Sequence, residues 1–326
     1  MIQLQAVHKR FGPLHAVRGV SLEIPKGQVV GILGPNGAGK TTTIRMIAGS
    51  FPPSEGRVLV DGLDSVSQTM AVRQRLGYLP ESAPLYRDMR VEDYLEYRAS
   101  IFRVARRQRR EAIGRAVDRC QLGGVLRQRV GTLSKGFRQR VGVASVLVHE
   151  PKVLILDEPT SGLDPAQISE FRGLIRDLAG ERTTLLVSHI LPEVERCCDR
   201  IVMFMNGLVQ ADGSPTELAL GSPGAGEYVV EARREGEAGT GVEGAFSGLE
   251  LSRPMTLGAL EAGWWRVTLP MQRPEEDHRE RIARCASAGG LLVRELRPPH
   301  SSLEEVYLRL LRSSGVEGPV VRGGGS

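Results

Sequence analysis

The chain has no apolar run near the roughly 18–20 residues that a membrane span requires. Candidates such as Val141–Val148 are far shorter. Its N-terminus, Met1-Ile2-Gln3-Leu4-Gln5, lacks the basic-then-apolar order of a secretory leader, so a cytosolic protein is expected. Cysteine is scarce: Cys120, Cys197, Cys198 and Cys285 have no metal-ligand spacing. The adjacent Cys197-Cys198 falls in a helical stretch and reads as two small packing residues, not a redox pair. Aromatics form 5% of the chain and are not interleaved with its bases, so no nucleic-acid partner is expected.

What is present is length, arginine and an uneven charge. At 326 residues the chain is too long for one ordinary domain, and two are expected. From Gly224 onward there are 13 bases and 15 acids, a net of −2, which leaves +7 on the first part. Much of that excess lies in Arg98, Arg103, Arg106, Arg107, Arg109 and Arg110. A row of this kind reads first as a solvated helix face, and second as a contact for anionic headgroups or an acidic partner loop.

The strongest local signal is Gly34-Pro35-Asn36-Gly37-Ala38-Gly39-Lys40-Thr41, a full match to the phosphate-loop pattern G-x-x-x-x-G-K-[ST]. It sits between a strand, Gln28–Leu33, and a helix beginning at Thr41, the context that makes the motif a site. The glycines let successive N–H groups turn inward as an anion nest, and the helix adds its positive end. Lys40 offers a charge to terminal phosphates, Thr41 a hydroxyl to Mg2+, and Thr42 continues the cradle. Further on, Lys152–Leu156 reads as a buried strand ending in Asp157-Glu158-Pro159-Thr160. Acids at the carboxyl end of a parallel strand face the ligand crevice of an α/β sheet. Asp157 can hold Mg2+, and Glu158 can polarise an attacking water as general base.

Between these two segments lies Leu133-Ser134-Lys135-Gly136-Phe137-Arg138-Gln139. With it the chain resembles the ATPase subunits of ABC transporters, whose signature reads L-S-G-G-Q. Leu133, Ser134 and Gly136 match, whereas Lys135 and Phe137 depart. Four further landmarks stand in the family's order: Phe11 where an aromatic stacks on adenine, Glu81 at the Q-loop, Ser161-Gly162-Leu163-Asp164 as the D-loop, and His189 as the switch histidine. Most members carry Gln where this chain has Glu81. The stretch Gly77–Tyr86 is similar to the ABC-2 exporter branch, particularly to subunits of the gliding-motility type.

The resemblance covers about residues 1–220. It implies an α/β P-loop NTPase fold with a RecA-like core, an antiparallel β subdomain and a helical subdomain over about 85–150. It also implies ATP and Mg2+ as cofactors, with Thr41, Glu81 and Asp157 at the metal. Two copies, or one copy and a related ATPase subunit, would pair head to tail. Ser134, the Gly136 amide and Asp164 of one would then close on the nucleotide of the other. His189 would contact the γ-phosphate. A polytopic permease is the implied membrane partner, with this chain peripheral on the cytoplasmic face. A chromosome or DNA-repair ATPase would place a long coiled coil between phosphate loop and signature. Here 94 residues separate Lys40 from Ser134, without sustained heptads. An ABC-type translation factor would have two phosphate loops, and only one is found.

The remaining organisation follows from pattern. Residues 1–25 read as an antiparallel strand pair, and Val91–Ala105 and Arg107–Leu122 as amphipathic helices. Asn206-Gly207 marks a hairpin. Residues 221–226 have linker composition. A smaller α+β unit is expected at 227–312, regulatory or dimerising. Its strands are Tyr228–Ala232, Trp265–Leu269 and Leu291–Leu296, with a helix over Glu275–Ala288 and a loop near 235–248 that adds little structure. A last helix opens with the capping box Ser302-Leu303-Glu304-Glu305 and carries Leu303, Val306, Tyr307, Leu310 and Leu311 on one face. Residues 313–326 are expected to be disordered.

Overall fold

A computed structural model describes residues 1–220, 226–234, 242–273, 276–298 and 303–313. The expected linker, apart from Gly226, lies outside them, as do Ser302, most of the expected tail and the first part of the loop near 235–248. The chain divides into two compact units, the larger built on Met1–Pro215 and joined by the end of the last helix from Leu310, and the smaller on Thr216–Arg309.

In chain order the larger unit runs β1 (Ile2–Phe11), β2 (Leu14–Ile24), β3 (Val29–Leu33), α1 (Lys40–Ile47), β4 (Glu55–Val60), β5 (Leu63–Asp64), α2 (Thr69–Arg75) and β6 (Leu76–Leu79). It continues through α3 (Val91–Ile101), α4 (Arg106–Arg119), α5 (Lys135–Leu147), β7 (Val153–Asp157), α6 (Pro165–Leu178), β8 (Thr183–Ser188), α7 (Leu191–Cys197), β9 (Arg200–Met205) and β10 (Leu208–Gly213). Beyond lie α8 (Pro215–Leu220), β11 (Glu227–Arg234), β12 (Thr256–Ala259), β13 (Trp265–Pro270), α9 (Arg279–Ala288), β14 (Leu291–Arg297) and α10 (Leu303–Ser313).

Every residue of β3, β7 and β8 is buried, which is why β3 and β7 up to Asp157 read as continuous apolar runs and not as alternation, while β8 buries Thr183, Thr184 and Ser188 beside Leu185, Leu186 and Val187. They form the centre of a six-stranded sheet in the order β10-β9-β3-β8-β7-β6. The sheet is parallel except for β10, joined to β9 by Asn206-Gly207. Both turn residues have positive φ, 50° and 79°, as a type I′ hairpin demands. A second sheet, β2-β1-β4-β5, is antiparallel, and the expected pairing over residues 1–25 is present as Ile2↔Ile24 through Phe11↔Leu14. One apolar core joins the two sheets through Ile44, Met46 and Ile47 of α1.

Parallel register sets the function-bearing edge. Leu33 lies opposite Ser188, Asp157 opposite Val187, and Leu79 opposite Leu156. The segments that leave these strands at Gly34, Glu158, His189 and Pro80 therefore emerge side by side at the carboxyl end of the sheet.

The helices between β6 and β7 are shorter than their pattern suggests. The structure ends α3 at Ile101, not Ala105, and α4 at Arg119, not Leu122. Each is stopped by a non-glycine residue in the left-handed region, Arg103 (φ 60°) and Gln121 (φ 55°). The next amides, of Val104 and Leu122, fold back to Ala99 O and Val117 O in Schellman fashion. Cys197 ends α7, and Cys198 has extended backbone just past it; both are buried, as expected of packing residues.

The smaller unit is a four-stranded antiparallel sheet, β12-β13-β11-β14, with α9 packed on it. Its core includes Tyr228, Val230, Phe246, Val267, Leu269 and Ile282. α9 starts at Arg279, not Glu275, and β12 is an added edge strand. On α10, Leu303, Val306 and Leu311 are buried and Tyr307 and Leu310 half-buried, the face its periodicity marks.

Candidate functional site

The phosphate loop joins β3 to α1. Gly39 adopts φ 99°, and a Cβ there would lie 2.6 Å from Ala16 O. At Gly34 a Cβ would lie 2.2 Å from Phe204 O. Only glycine lets the loop press this closely on its neighbours. Pro35 O accepts from the Ala38 amide, and Ala38 O from Gly207 N–H, so the loop is fastened to the β9–β10 hairpin. α1 has no side-chain cap and no acid in its first turn, so the first amides of Lys40, Thr41 and Thr42 keep their positive end for a ligand. Asn36, Gly37 and Thr41 are exposed at this loop. Lys40 is buried, and its Nζ donates to Gly34 O at 2.6 Å and Pro35 O at 3.0 Å. Burial pulls its pKa down, against the opposing pull of the Glu158, Asp157 and Glu81 carboxylates.

Asp157 is buried at the end of β7 and accepts from the Tyr78 hydroxyl at 3.3 Å. Burial holds its carboxyl above the ordinary carboxylate range; Tyr78 and Lys40 oppose the shift, and Glu158 and Glu81 add to it. Burial and the adjacent Asp157 push Tyr78 up to about 12. Glu158 has φ 48°, a rare conformation for a non-glycine residue, held because its amide donates to Val187 O at 2.9 Å. That turn brings its Oε2 to 2.8 Å from His189 Nδ1. The Glu158 side chain is 11% exposed and that of His189 49%, so the pair reaches from a dry carboxylate to a ring at the surface.

Lys40, Asp157, Glu158, His189 and Glu81 thus gather at one edge. The charges are three carboxylates against one ammonium, a surplus of negative oxygen that suits a hard cation. Among the described residues no group of three or more His, Cys, Asp or Glu forms a metal cage. Mg2+ takes one or two protein oxygens and shares the rest with phosphates and water. Thr41 and Asp157, with Glu81 nearby, are the residues present to hold it.

The signature lies apart from this group. Ser134 is the N-cap of α5, its Oγ accepting from the Phe137 amide at 3.3 Å. Ser134 and Gly136 line a cavity of about 300 Å³ with Leu163, Gln167 and Phe171, and no phosphate-loop residue contributes. Asp164 caps α6, accepting from the Gln167 amide at 2.9 Å. Signature and D-loop touch: a Cβ on Gly162 would fall 2.1 Å from Lys135 Nζ. Phe11 is exposed at the end of β1, edge-on to Phe51 with ring centroids 5.6 Å apart, and Lys9 lies over both rings. A cavity of about 560 Å³ between Phe102–Arg115 and Val148–Glu150 contains none of the expected site residues.

Sequence reading missed Tyr78 and a buried set formed by Thr160, Ser188 and Glu193. No motif flags them, because their roles arise where separate strands converge. The one available signal was position: each lies within five residues of a landmark.

Comparison with known proteins gives a consistent result. The family model described as "ABC transporter" matches residues 17–161. The ABC transporter ATP-binding protein NatA of Bacillus subtilis (strain 168) is 42% identical over 215 residues, 64% of this chain and 87% of that one. The daunorubicin resistance ATP-binding protein DrrA3 of Streptomyces coeruleorubidus is 36% identical over 242 residues, 74% of this chain and 76% of that one. Among solved structures, the dimeric bacterial ABC transporter cassette MJ0796 superposes with a TM-score of 0.59 at 26% identity, covering 66% of this chain and 98% of that one.

Proposed function

Since this chain belongs to the family of ABC transporter ATP-binding proteins, we propose that it is the ATP-hydrolysing subunit of an ABC-2-type exporter. It would act as a head-to-tail pair on a separate polytopic membrane subunit, peripheral on the cytoplasmic face. The observation that carries the reading is the Glu158–His189 pair, 2.8 Å apart beside the phosphate loop. The stretch Gly77–Tyr86 with Glu81 is the ground for the exporter branch and for the gliding-motility type within it.

The residues divide the work. The loop amides from Gly34 to Thr42 wrap the phosphates, apart from Pro35, which has no N–H, and Ala38, whose amide bonds Pro35 O, and Phe11 offers a face to adenine. Lys40 exchanges its two loop carbonyls for phosphate oxygens. Bound Mg2+ would neutralise charge on the transferred phosphoryl group; Thr41 and Asp157 would hold it, with Glu81 close by. Glu158 accepts the proton of the attacking water, and His189 keeps that carboxylate aimed while its ring meets the γ-phosphate. Ser134 and the Gly136 amide, at the N-terminus of α5, bind the γ-phosphate held by the other copy, with Asp164 alongside. ATP then binds the closed pair better than the open one, which drives closure. The cargo is read by the membrane chain, and this sequence does not specify it.

Glu158→Gln keeps shape and hydrogen bonding but removes the proton acceptor. ATP binding persists, turnover falls by about 10²–10⁴-fold, and an ATP-bound pair accumulates in size-exclusion chromatography. Wild-type hydrolysis by the purified variant ends the base assignment. Co-purification from detergent-solubilised membranes tests the transport reading: a polytopic membrane protein comes down with the chain.

A further inference from the structure

Glu193 sits in the first turn of α7 and is 3% exposed. Its side-chain hydrogen bonds among the described residues go to no residue of the proposed nucleotide site; instead two buried hydroxyls converge on one of its oxygens. Thr160 Oγ1 donates to Glu193 Oε2 at 2.5 Å, and Ser188 Oγ donates to the same oxygen at 3.1 Å. Ser188 Oγ also accepts from the Ile190 amide at 3.0 Å, and its own hydrogen goes to the carboxylate, which as an acceptor has none to give. Thr160 and Ser188 are 4% and 0% exposed. Oε1 of the same carboxylate is buried without a hydrogen-bond partner among the described residues. A carboxylate so placed is costly to bury, and a chain selected for stability alone would fill the space with an apolar residue.

The position of the two hydroxyls gives that cost a use. Thr160 follows Glu158 by two residues and opens the turn to the D-loop, where Leu163 N–H returns to Thr160 O at 3.0 Å. Ser188 immediately precedes His189. Glu193 therefore ties together the two backbone segments that present the Glu158–His189 pair, and the segment leading to Asp164. Glu158 itself stands at φ 48°, a conformation that needs its surroundings to hold it.

We propose that Glu193 is a positioning residue for hydrolysis: by accepting from Thr160 and Ser188 at once, it fixes the geometry of Glu158 against His189. The proposal rests on the reading of Glu158 as the base. Glu193 acts only through that pair, so its loss slows the hydrolytic step and leaves the loop that binds ATP intact. A shift of about 1 Å in a base is enough to cost on the order of 10²-fold in rate.

The test uses the full chain with Mg-ATP. Glu193→Ala, which strands both hydroxyls, lowers kcat by at least about tenfold while KM and ATP affinity stay within about twofold. Glu193→Gln keeps an acceptor oxygen and retains kcat within about threefold. The near-isosteric pair Thr160→Val with Ser188→Ala reproduces the Glu193→Ala loss, and adding Glu193→Ala to it costs nothing more, as expected of one unit. That double variant keeps the test open should Glu193→Ala fail to fold. Unchanged kcat in Glu193→Ala, or in the double variant, overturns the proposal. So does a fall in ATP affinity that matches the fall in kcat, because that marks general damage. Glu158→Gln run in parallel separates the two claims: if it is active the base assignment fails, and if it is dead while Glu193→Ala is fully active only the positioning role fails.

Discussion

At Asp157, burial works against ionisation, Glu158 and Glu81 add to it, and only Tyr78 and Lys40 resist. An acid whose folded pKa is raised binds its proton more readily folded than unfolded. Stability then falls as pH rises through the carboxylate range and stays lowered above it. Asp157→Asn removes that penalty. Without nucleotide or Mg2+, its melting temperature at pH 7 should exceed wild type by a few degrees. The gain should vanish at pH values where Asp157 is protonated in both folded and unfolded chains. The same variant should lose ATPase activity and the stabilisation that Mg-ATP gives wild type. Calorimetry across pH, with and without Mg-ATP, measures both. That outcome would mark a site tuned for a bound cation and not for stability alone. Glu81, whose charge reaches both Lys40 and Asp157, follows the same logic. A carboxylate near Mg2+ attracts it more than an amide does. Glu81→Gln should raise the Mg2+ concentration for half-maximal ATPase activity several-fold, and an unchanged titration would place residue 81 off the metal.

Among the elements between β6 and β7, His149 links the helices to the sheet. It follows α5, stacks on Phe102 at 3.7 Å between ring centroids, and its Nε2 pairs with Leu76 O, at the start of β6, at 3.2 Å. Burial pulls its pKa down to about 4 from 6.5. Between these values the unfolded chain binds a proton that the folded chain refuses, so stability is full above about 6.5 and is lost as pH falls toward 4. His149→Gln should flatten that part of the stability–pH curve in urea titrations, at the cost of the ring stack and with lower stability at pH 7. An unchanged slope would show that the ring charges without breaking these contacts. Elements of this kind also show what the sequence made legible. The apolar runs of β3 and β7 announced buried strands of a parallel sheet, and Asn206-Gly207 announced its hairpin, because each pattern has one physical cause. The ends of α3 and α4 were not legible, since Arg103 and Gln121 occupy left-handed positions where glycine is the usual sign. β12 left no trace either: three of its four residues are exposed or lack a side chain to alternate, and it pairs only along one edge. The phosphate loop was fully legible because its backbone tolerates few residue types, whereas Tyr78 and Glu193 depend on which strands become neighbours.

At the scale of the whole chain, the proposed catalytic residues from Phe11 to His189 all fall within Met1–Pro215, the larger compact unit. The smaller unit has its own sheet and its own apolar core, and about 100 residues suffice for a small independent domain. It contributes no phosphate loop, no acidic strand end and no signature. Its buried Glu231, paired with Arg266 and Arg294 at 2.7 Å and 2.6 Å, belongs to its own sheet. We therefore propose that residues 227–312 regulate, stabilising the pair of copies or seating the membrane subunit, while residues 1–220 bind and hydrolyse ATP. A chain ending at Gly224 should bind ATP with an affinity within about threefold of the full chain and remain folded by circular dichroism. What should change is the ATP-driven pairing of its Glu158→Gln form, or its retention on the membrane subunit. Nucleotide titration and sedimentation of the two lengths side by side decide the matter. Loss of ATP binding by a folded truncated chain would make the second unit part of the active site, and identical pairing and membrane retention would leave it without the regulatory role.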